Sequence, residues 1–477
     1  MLKENDHDIT AQADAIDTTA HAYAKAMWQA LGGDPRDAEH LAFTGAEAFD
    51  SAFAVTDFAA ASIGVAGLAV AELAGLRTDA HAAVRIDRRL ASWWFASTLQ
   101  PQGWSPPPLW DSLAGDYPCA DGWIRLHTNA PHHRAAALRV LGTRGERDTV
   151  ARAVAQWQAD ALEAAIVENH GCAAVMRNPS EWARHPQGLA LQAEPLLHRV
   201  TRGAPASNGW EPEPRRPLRG IRVLDLTRVL AGPIATRFLA GFGAQVLRID
   251  PPDWDEPAVI PEVVPGKRCA RLDLKQSGNL HILETLLSEA DVLVHGYRPD
   301  ALPRLGLDAA RRRQLNPGLI DVSLNAYGWS GPWRGRRGFD SLVQMSTGIA
   351  EAGMRVSGAQ RPTPLPVQAL DHATGYLLAA AAMRGLTQRL QDGTGSEVRA
   401  ALARTAQLLV GAPRTANRFE PLHHVGPEDI DETIEQTGWG PALRLRPPVT
   451  IDGVPLQWDI PARALGSYPA TWKSAAV

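Results

Sequence analysis

The sequence predicts an α/β protein whose main part is a Rossmann-like, doubly wound parallel sheet. Two observations support this: a strand–turn–helix–strand unit at residues 220–252, and apolar, β-branched runs that alternate with helical segments after it. Such alternation is typical of parallel sheets with right-handed crossovers. Ligands bind beyond the carboxyl ends of the strands in such sheets, so the loop at residues 227–233 is the first candidate site.

Residues 220–252 have the sequence GIRVLDLTRVLAGPIATRFLAGFGAQVLRIDPP. The apolar run at 221–226 predicts the first strand. The helix after it begins near Pro233, because proline is favoured in a first turn, and Gly243 can end it. Residues 245–249 predict a second strand, which would lie parallel to the first.

The alternation continues to about residue 404. The predicted elements are strands at 267–274, 290–295 and 318–324, helices at 278–289 and 303–315, an alanine-rich helix at 371–390, and a strand leading into a helix at 393–404. Together with the first unit they predict one doubly wound sheet.

Composition indicates a soluble globular protein. At 477 residues, with 45% apolar and 21% charged residues, the chain is long enough for two or three domains. A net charge of −4 gives no electrostatic basis for binding nucleic acid or a membrane surface. Three scattered cysteines fit a reducing compartment, so we expect the protein in the cytoplasm.

Neither a signal peptide nor a membrane span is predicted. The first ten residues, MLKENDHDIT, lack an apolar core. The apolar segment at 58–76 contains Glu72 and is rich in alanine and glycine, so we expect a buried helix of a soluble protein.

A proline-rich segment at residues 202–218 predicts a linker. It would separate an N-terminal part, residues 1–201, from an α/β domain at residues 219–477. Composition changes at this point, because the segment is poor in apolar residues and contains four prolines.

An internal repeat connects the two parts. Asp57 and Asp371 each begin an apolar helix, and a Val-Arg pair follows each of them 27 residues later, at 84–85 and 398–399. The matching positions are 314 residues apart. The repeat indicates two related halves.

Several common catalytic and binding motifs are missing from the sequence. A nicotinamide dehydrogenase would need G-x-G-x-x-G between the first strand and its helix, but the Gly-Phe-Gly triplet at 241–243 lies at the end of that helix. No P-loop, zincin motif, CxxC pair or G-x-S-x-G elbow occurs. The adjacent histidines at 132–133 and 423–424 tend to point apart, so no metal site is predicted.

Five sequence blocks follow one another between residue 220 and about residue 405: RVLDLTRVLAGPIATRFLAGFGAQVLRIDPP, GKRCARLDLK, DVLVHGYRPDALPRLGLD, LNPGLIDVSLNAYGWSGPWRGRRGFDSLVQMSTGIA and PVQALDHATGYLLAAAAMRGL. They resemble the class III CoA-transferase family, which includes formyl-CoA and carnitine CoA-transferases and the α-methylacyl-CoA racemases. The resemblance implies a large Rossmann-like domain, a smaller domain, and two protomers that interlock.

The N-terminal part resembles the same family less directly. Residues 57–94 are similar to the region that begins at Asp371, and residues 117–200 resemble the family's smaller α+β domain. The chain is therefore predicted to be rearranged as two fused partial copies. This arrangement implies either a homodimer or a pseudo-dimer within one chain.

The resemblance implies that Asp371 is the catalytic nucleophile of a CoA-transferase. In the family an aspartate at this position attacks an acyl-CoA, becomes an aspartyl-CoA thioester, and passes CoA to an acceptor carboxylate. The implied partners are an acyl-CoA and a carboxylate, with coenzyme A as substrate and no permanently bound cofactor. The alternative role for an aspartate in a first helical turn is a cap, which we expect for Asp57.

The resemblance also implies CoA contacts along the loops that follow the strands. Arginines suit the phosphates of CoA by geometry and charge. The implied contacts are Arg228, Val229, Leu230, Ala231, Arg248, Lys267, Arg268, Tyr297, Arg298 and Arg304. For each cationic side chain the alternative is a solvated surface position.

One triplet separates two activities of the family. Racemases have Gly-His-Asp, because exchange of an α-proton needs a second acid–base group, and this chain has Phe339 in place of the histidine. A CoA-transferase is therefore favoured over an acyl-CoA racemase, although Asp340 or His372 stays open as a substitute. A CoA-binding protein without turnover is a third alternative, since the architecture is irregular.

Overall fold

The computed structural model describes residues 19–76, 82–203, 209–412 and 420–472. The segment MLKENDHDIT and residues 204–208 of the predicted linker lie outside the described residues. The strands are β1 (Leu41–Thr44), β2 (Glu47–Ala48), β3 (Val84–Asp87), β4 (Leu99–Pro101), β5 (Gly115–Pro118), β6 (Trp123–Leu126), β7 (Ala173–Val175), β8 (His198–Gly203), β9 (Arg222–Leu226), β10 (Gln245–Asp250), β11 (Lys267–Arg271), β12 (Val292–His295), β13 (Ile320–Asn325), β14 (Thr394–Ala401), β15 (Glu420–Pro421), β16 (Ile430–Thr437), β17 (Gly440–Leu445) and β18 (Val449–Ile451).

The helices lie mainly between and around these strands. They are α1 (residues 19–30), α2 (Val55–Gly75), α3 (Arg88–Ala96), α4 (Pro131–Leu141), α5 (Arg147–Val154), α6 (Ala159–Glu168), α7 (Pro179–Arg184), α8 (Pro186–Gln192), α9 (Ala231–Gly241), α10 (Ile260–Val263), α11 (Ser277–Ser288), α12 (Ala301–Arg304), α13 (Ala309–Leu315), α14 (Asp340–Ser346), α15 (Ile349–Ser357), α16 (Ala369–Asp392) and α17 (Leu402–Gly411). Two short 3₁₀ helices occupy Pro35–His40 and Pro427–Asp429.

The large sheet has seven strands in the order β11-β10-β9-β12-β13-β14-β8. Strands β9 to β14 are parallel, and β8 pairs antiparallel with β14. The six parallel strands follow the 3-2-1-4-5-6 order of doubly wound nucleotide-binding sheets. The predicted α/β class with a parallel sheet is confirmed. The order reverses between β9 and β12, which marks the crevice where ligands of such sheets bind.

The predicted helix at 303–315 is wrong as a single element. It is divided into α12 and α13, because Gly306 adopts a φ of +75° between them and Asp308 begins a new helix. The Asp308 carboxylate accepts a hydrogen bond from the N–H of Arg311, as an N-cap residue does. The predicted strand at 267–274 is also shorter and ends at Arg271.

Two long alanine-rich helices, α2 and α16, pack against each other in the largest hydrophobic core. α2 is long and apolar enough to cross a membrane, but 78% of its most apolar window is buried inside the structure. α16 also packs on α9, where a Cβ on Gly375 would lie 2.5 Å from the carbonyl oxygen of Ala231. This close approach brings the start of α16, which contains Asp371, to the loop after β9.

Residues 113–175 form a small α+β unit. β5, β6 and β7 make an antiparallel sheet, and a turn that contains Asp121 and Gly122 connects its first two strands. α4, α5 and α6 contribute to a separate core that includes Tyr117 and Leu162. Pro131 begins α4 and Gly142, with a φ of +65°, ends it.

The two sides of the predicted linker share sheets. β8 precedes the linker but forms the edge of the large sheet, and the predicted linker at 202–218 begins inside this strand, which ends at Gly203. Near the other end of the chain, β17 pairs with β4 and β18 pairs with β3. The division into residues 1–201 and 219–477 therefore stays a prediction.

Candidate active site

A cavity of about 360 Å³ opens at the carboxyl ends of β9, β12 and β13. The strand order of the large sheet reverses here, and the volume is typical of small-molecule sites. The residues that line the cavity include His132, His133, residues 226–231, Trp254, residues 296–299, Arg334, residues 336–339, Asp371 and Leu402.

The loop between β9 and α9 has an unusual backbone conformation. Val229 has a φ of +66°, in the left-handed region that β-branched residues rarely adopt. Its N–H donates to Glu256 Oε1 at 2.8 Å, and Glu256 Oε2 also accepts from Arg248 Nη2 at 3.1 Å. Strained conformations of this kind persist only where surrounding contacts hold them, and they are concentrated at ligand sites.

Arg228 contacts two aromatic rings in the cavity wall. Its guanidinium carbon lies 4.6 Å from the centroid of a Trp254 ring and 5.4 Å from that of Tyr297. Its Nη2 also donates to the Tyr297 hydroxyl at 3.4 Å. Aromatic faces can stack on a nucleotide base and guanidinium donors can bind phosphate, so this corner of the cavity suits a nucleotide.

The cavity wall carries a large excess of positive charge. Five arginines line it, and Asp371 is the one acidic residue among the described residues of the wall. Burial, together with the nearby charge of Arg298, lowers the pKa of Arg337. Cations that repel one another in a partly buried wall favour an anionic ligand.

Asp371 lies in the first turn of α16 and is 7% exposed. It is not a helix cap, because Gln368 occupies the N-cap position and no side chain caps the helix there. The N–H groups of Asp371 and Leu370 instead donate to Asp340 Oδ2, at 2.9 and 2.8 Å. Asp340 therefore places a second carboxylate beside Asp371, and Gln344 Nε2 donates to its other oxygen at 2.5 Å.

Both carboxylates have raised pKa values. Burial, and then the negative charge of Asp340, raises the pKa of Asp371 well above its ordinary value. Burial raises the pKa of Asp340 to about 6, although hydrogen bonds from Gln344 and from two backbone N–H groups oppose the increase. Those hydrogen bonds stabilise the anion of Asp340, so Asp371 keeps its proton to higher pH.

Two histidines from the small α+β unit contact Phe339. The His127 ring stacks on it with the centroids 3.7 Å apart, and His133 meets it edge-on at 5.8 Å. Phe339 offers no group that moves a proton, and His372 packs on Phe95 without lining the cavity. Of the two substitutes left open, Asp340 is therefore the one beside Asp371.

Seven predicted site residues line the cavity: Arg228, Val229, Leu230, Ala231, Tyr297, Arg298 and Asp371. Arg248, Lys267, Arg268 and Arg304 do not line it. Arg268 Nη1 donates to the Trp472 carbonyl at 3.3 Å, and Arg304 pairs with Asp300 on the surface at 2.6 Å. The structure thus brings the loop after β9 and the loop after β12 together with Asp371.

Arg248 and Lys267 are enclosed in the large sheet. Arg248 pairs with Asp250 at 2.8 Å, and both side chains are fully buried. Lys267 pairs with Asp225 at 3.0 Å and is equally buried, and burial lowers its pKa to about 8. Their charges are paired with buried aspartates, so these two side chains do not reach a ligand in this conformation.

Sequence reasoning missed Trp254, His133 and three of the arginines that line the cavity. The arginines lie in the segment RGRR at 334–337, where their clustering in a glycine-rich block was a usable signal. Nothing in the sequence connects His133 with a strand end more than a hundred residues away. Within the described ranges, no group of three or more histidine, cysteine or acidic side chains is arranged to hold a metal ion.

The part of the chain that forms most of this cavity is similar to known proteins. Residues 218–428 match the model of CoA-transferase family III. An acyl-CoA transferase of Fusarium pseudograminearum is 31% identical over 247 residues, which cover 47% of this chain and 50% of that protein. The mouse (Mus musculus) succinyl-CoA:glutarate CoA-transferase is 32% identical over 221 residues, covering 42% of this chain and 50% of that protein.

The chain spans about half the length of the curated relatives it matches. Among solved structures, the crystal structure of Rv3272 from Mycobacterium tuberculosis has 30% sequence identity and a TM-score of 0.38. The match covers 41% of this chain and 57% of that one.

Proposed function

We propose that the protein is an acyl-CoA:carboxylate CoA-transferase of family III with Asp371 as its covalent nucleophile, since residues 218–428 match the model of that family. The observation that carries the proposal is the position of Asp371, the one carboxylate among the described wall residues of a cavity that five arginines also line. The cavity lies where a doubly wound sheet binds nucleotides, which suits the nucleotide part of CoA.

The reaction is proposed to proceed through two covalent intermediates. A carboxylate oxygen of Asp371 attacks the thioester carbonyl carbon, the C–S bond breaks, and a mixed anhydride and CoA thiolate result. The thiolate attacks the γ-carbonyl carbon of Asp371, which gives an aspartyl-CoA thioester and releases the donor acid as its carboxylate. The acceptor carboxylate then reverses the two steps and leaves as the new acyl-CoA. Covalent relay divides one difficult exchange into easier steps.

We assign the nucleotide part of CoA to the corner formed by Arg228, Trp254 and Tyr297. The two rings are within cation–π distance of the guanidinium, and they supply flat faces for the adenine base. Arg298 and Arg337 are the nearest candidates for the phosphates, because their mutual repulsion would be relieved by bound negative charge. CoA is a substrate in this proposal and not a resident cofactor.

We also propose that the chain combines two partial copies of the family fold. α2 and α16 begin 314 residues apart and have nearly the same N-cap conformation, with φ/ψ of −75°/62° at Ala54 and −77°/63° at Gln368. The small α+β unit would be the smaller domain of the first copy. Because α2 packs on α16, this arrangement would form a pseudo-dimer within one chain.

A racemase is less well supported than a transferase. Proton exchange at an α-carbon needs two acid–base groups that face the carbon from opposite sides. Phe339 occupies the position of the second group, and Asp340 directs its oxygens to Gln344 and to the start of α16.

The test is an exchange assay with the full chain. Acyl-CoA donors are incubated with carboxylate acceptors, beginning with succinyl-CoA and glutarate, and new acyl-CoA is detected by mass spectrometry, with Asp371→Ala as control. We expect exchange with at least one pair and none with the variant. Binding of CoA without exchange for every pair would contradict the proposal and indicate a CoA-binding protein without turnover.

A further inference from the structure

One buried histidine in the cavity wall has no role in the chemistry described so far. His133 lines the cavity, is 3% exposed, and neither of its ring nitrogens has a hydrogen-bond partner among the described residues. A polar group that is buried without a partner destabilises the folded protein. Such a group therefore points to a partner that enters the cavity.

A chain of contacts connects His133 with the reacting carboxylate. His133 contacts the Phe339 ring, and Phe339 is followed by Asp340, whose carboxylate accepts the N–H of Asp371. His127 stacks on Phe339 and so helps to fix the ring against which His133 packs. The histidine and the nucleophile thus face one cavity of about 360 Å³.

The surroundings keep His133 uncharged. Burial, and then the charges of His132 and Arg337, lowers the pKa of His133 to about 3. At neutral pH the ring therefore carries one N–H donor and one acceptor nitrogen. A neutral donor can stabilise negative charge that develops on an oxygen without first giving up a proton of its own.

We propose that His133 donates a hydrogen bond to the acyl carbonyl oxygen of the substrate while Asp371 attacks the carbonyl carbon. The carbonyl oxygen gains negative charge as the new C–O bond forms, and the N–H of His133 stabilises that charge. This inference rests on the proposed CoA-transferase function. It assigns a catalytic contact to the small α+β unit, which lies outside the matched residues 218–428.

The test compares two substitutions at this position. His133→Leu fills the site without a donor, and His133→Gln keeps an N–H at similar reach. Loss of one such donor typically lowers kcat by about 100-fold or more, so we expect that loss for leucine and a rate within about tenfold of the unsubstituted protein for glutamine. KM for acyl-CoA should change less than threefold in both, since the nucleotide corner is intact. His281→Leu, on the exposed face of α11, is the matched control.

The outcomes separate this inference from the function on which it rests. A kcat for His133→Leu within twofold of the unsubstituted protein, while Asp371→Asn is inactive, would overturn the role of His133 alone. Equal losses in the leucine and glutamine variants, accompanied by equal drops in thermal unfolding temperature, would also overturn it, because packing would then explain the effect. Full activity of Asp371→Asn would instead overturn the proposed function.

Discussion

Two aspartates occupy matching positions in this molecule and have opposite environments. Asp57 and Asp371 both lie in the first turn of a long alanine-rich helix, 314 residues apart, and the two helices pack on each other. Asp57 forms a buried ion pair with Arg88, with both side chains 1% exposed. Asp371 lines the cavity, and no ion pair joins it to a cation within the described part of the chain.

The residue 314 positions after Arg88 is Leu402, which lines the cavity beside Asp371. At this matching position, the arginine that pairs with Asp57 is replaced by an apolar side chain in the cavity wall that contains Asp371. The expectation that Asp57 is a helix cap was wrong, because Ala54 is the N-cap residue and the Asp57 carboxylate pairs with Arg88. Position in the first turn of a helix therefore does not by itself make an aspartate a nucleophile, because an ion pair such as that of Asp57 with Arg88 occupies the carboxylate.

The largest expected effect is on turnover. Asp371→Asn should lower kcat by about 10⁴-fold or more, because the nucleophile of a covalent mechanism has no substitute. Asp57→Asn should leave the rate per folded molecule within about threefold, measured in the CoA exchange assay at a temperature where both variants are folded. Equal reductions of kcat in the two variants would contradict the proposal that Asp371 is the nucleophile and Asp57 is not.

For the free energy of unfolding we expect the opposite ranking: Asp57→Asn should have the larger effect and Asp371→Asn the smaller one. Asp57→Asn leaves the Arg88 guanidinium buried without its counter-charge, so the free energy of unfolding should fall by about 3–5 kcal/mol. Asp371→Asn should change it by less than about 1 kcal/mol, because no cationic side chain in the described ranges pairs with its carboxylate. Urea denaturation at neutral pH measures both values. A loss below 1 kcal/mol for Asp57→Asn would show that the ion pair does not hold Asp57.

An arginine at position 402 should convert the environment of Asp371 into one like that of Asp57. Leu402→Arg would set a guanidinium in the same cavity wall as Asp371, where it can bind the carboxylate as Arg88 binds Asp57 and so compete with the substrate. We expect kcat to fall by about 100-fold, with Leu402→Met, which keeps an apolar side chain of similar volume, as control. A rate for a folded Leu402→Arg within threefold of the control would contradict this explanation.

The smallest effect concerns pH. Asp371 must be ionised to attack, so kcat/KM should rise with pH through its raised pKa. The negative charge of Asp340 contributes to that increase, and Asp340→Asn should therefore move the acid limb of the profile to lower pH by about one unit. An unchanged limb, or one that moves to higher pH, would show that Asp340 does not act on Asp371 in this way.

The sequence predicted the parts of the molecule that depend on local pattern. The parallel strands, the loop after β9 and the helix that begins near Asp371 follow from apolar periodicity, from glycine and proline positions and from the resemblance between residues 220 and 405. The assignment of Arg248 and Lys267 to CoA used only their charge. Their partners, Asp250 and Asp225, become neighbours only when strands and loops are assembled.

The part of the cavity wall formed by the small α+β unit was beyond sequence reasoning for a related reason. His133 reaches Phe339 across a separation of about two hundred residues, and adjacent histidines give no signal of direction until α4 is placed. The irregular architecture of the chain suggested a CoA-binding protein without turnover. The structure shows that the N-terminal part helps to form the cavity that contains Asp371, because it contributes wall residues.

Chemical trapping of the covalent intermediate tests the distinction between the two aspartates most directly. The full chain is incubated with a reactive acyl-CoA and hydroxylamine, digested, and the peptides that contain residues 57 and 371 are analysed by mass spectrometry. An aspartyl-CoA thioester reacts with hydroxylamine to form an aspartyl hydroxamate, so we predict this modification at Asp371 and none at Asp57. Hydroxamate at Asp57, or CoA exchange that proceeds with Asp371 unmodified, would contradict the account.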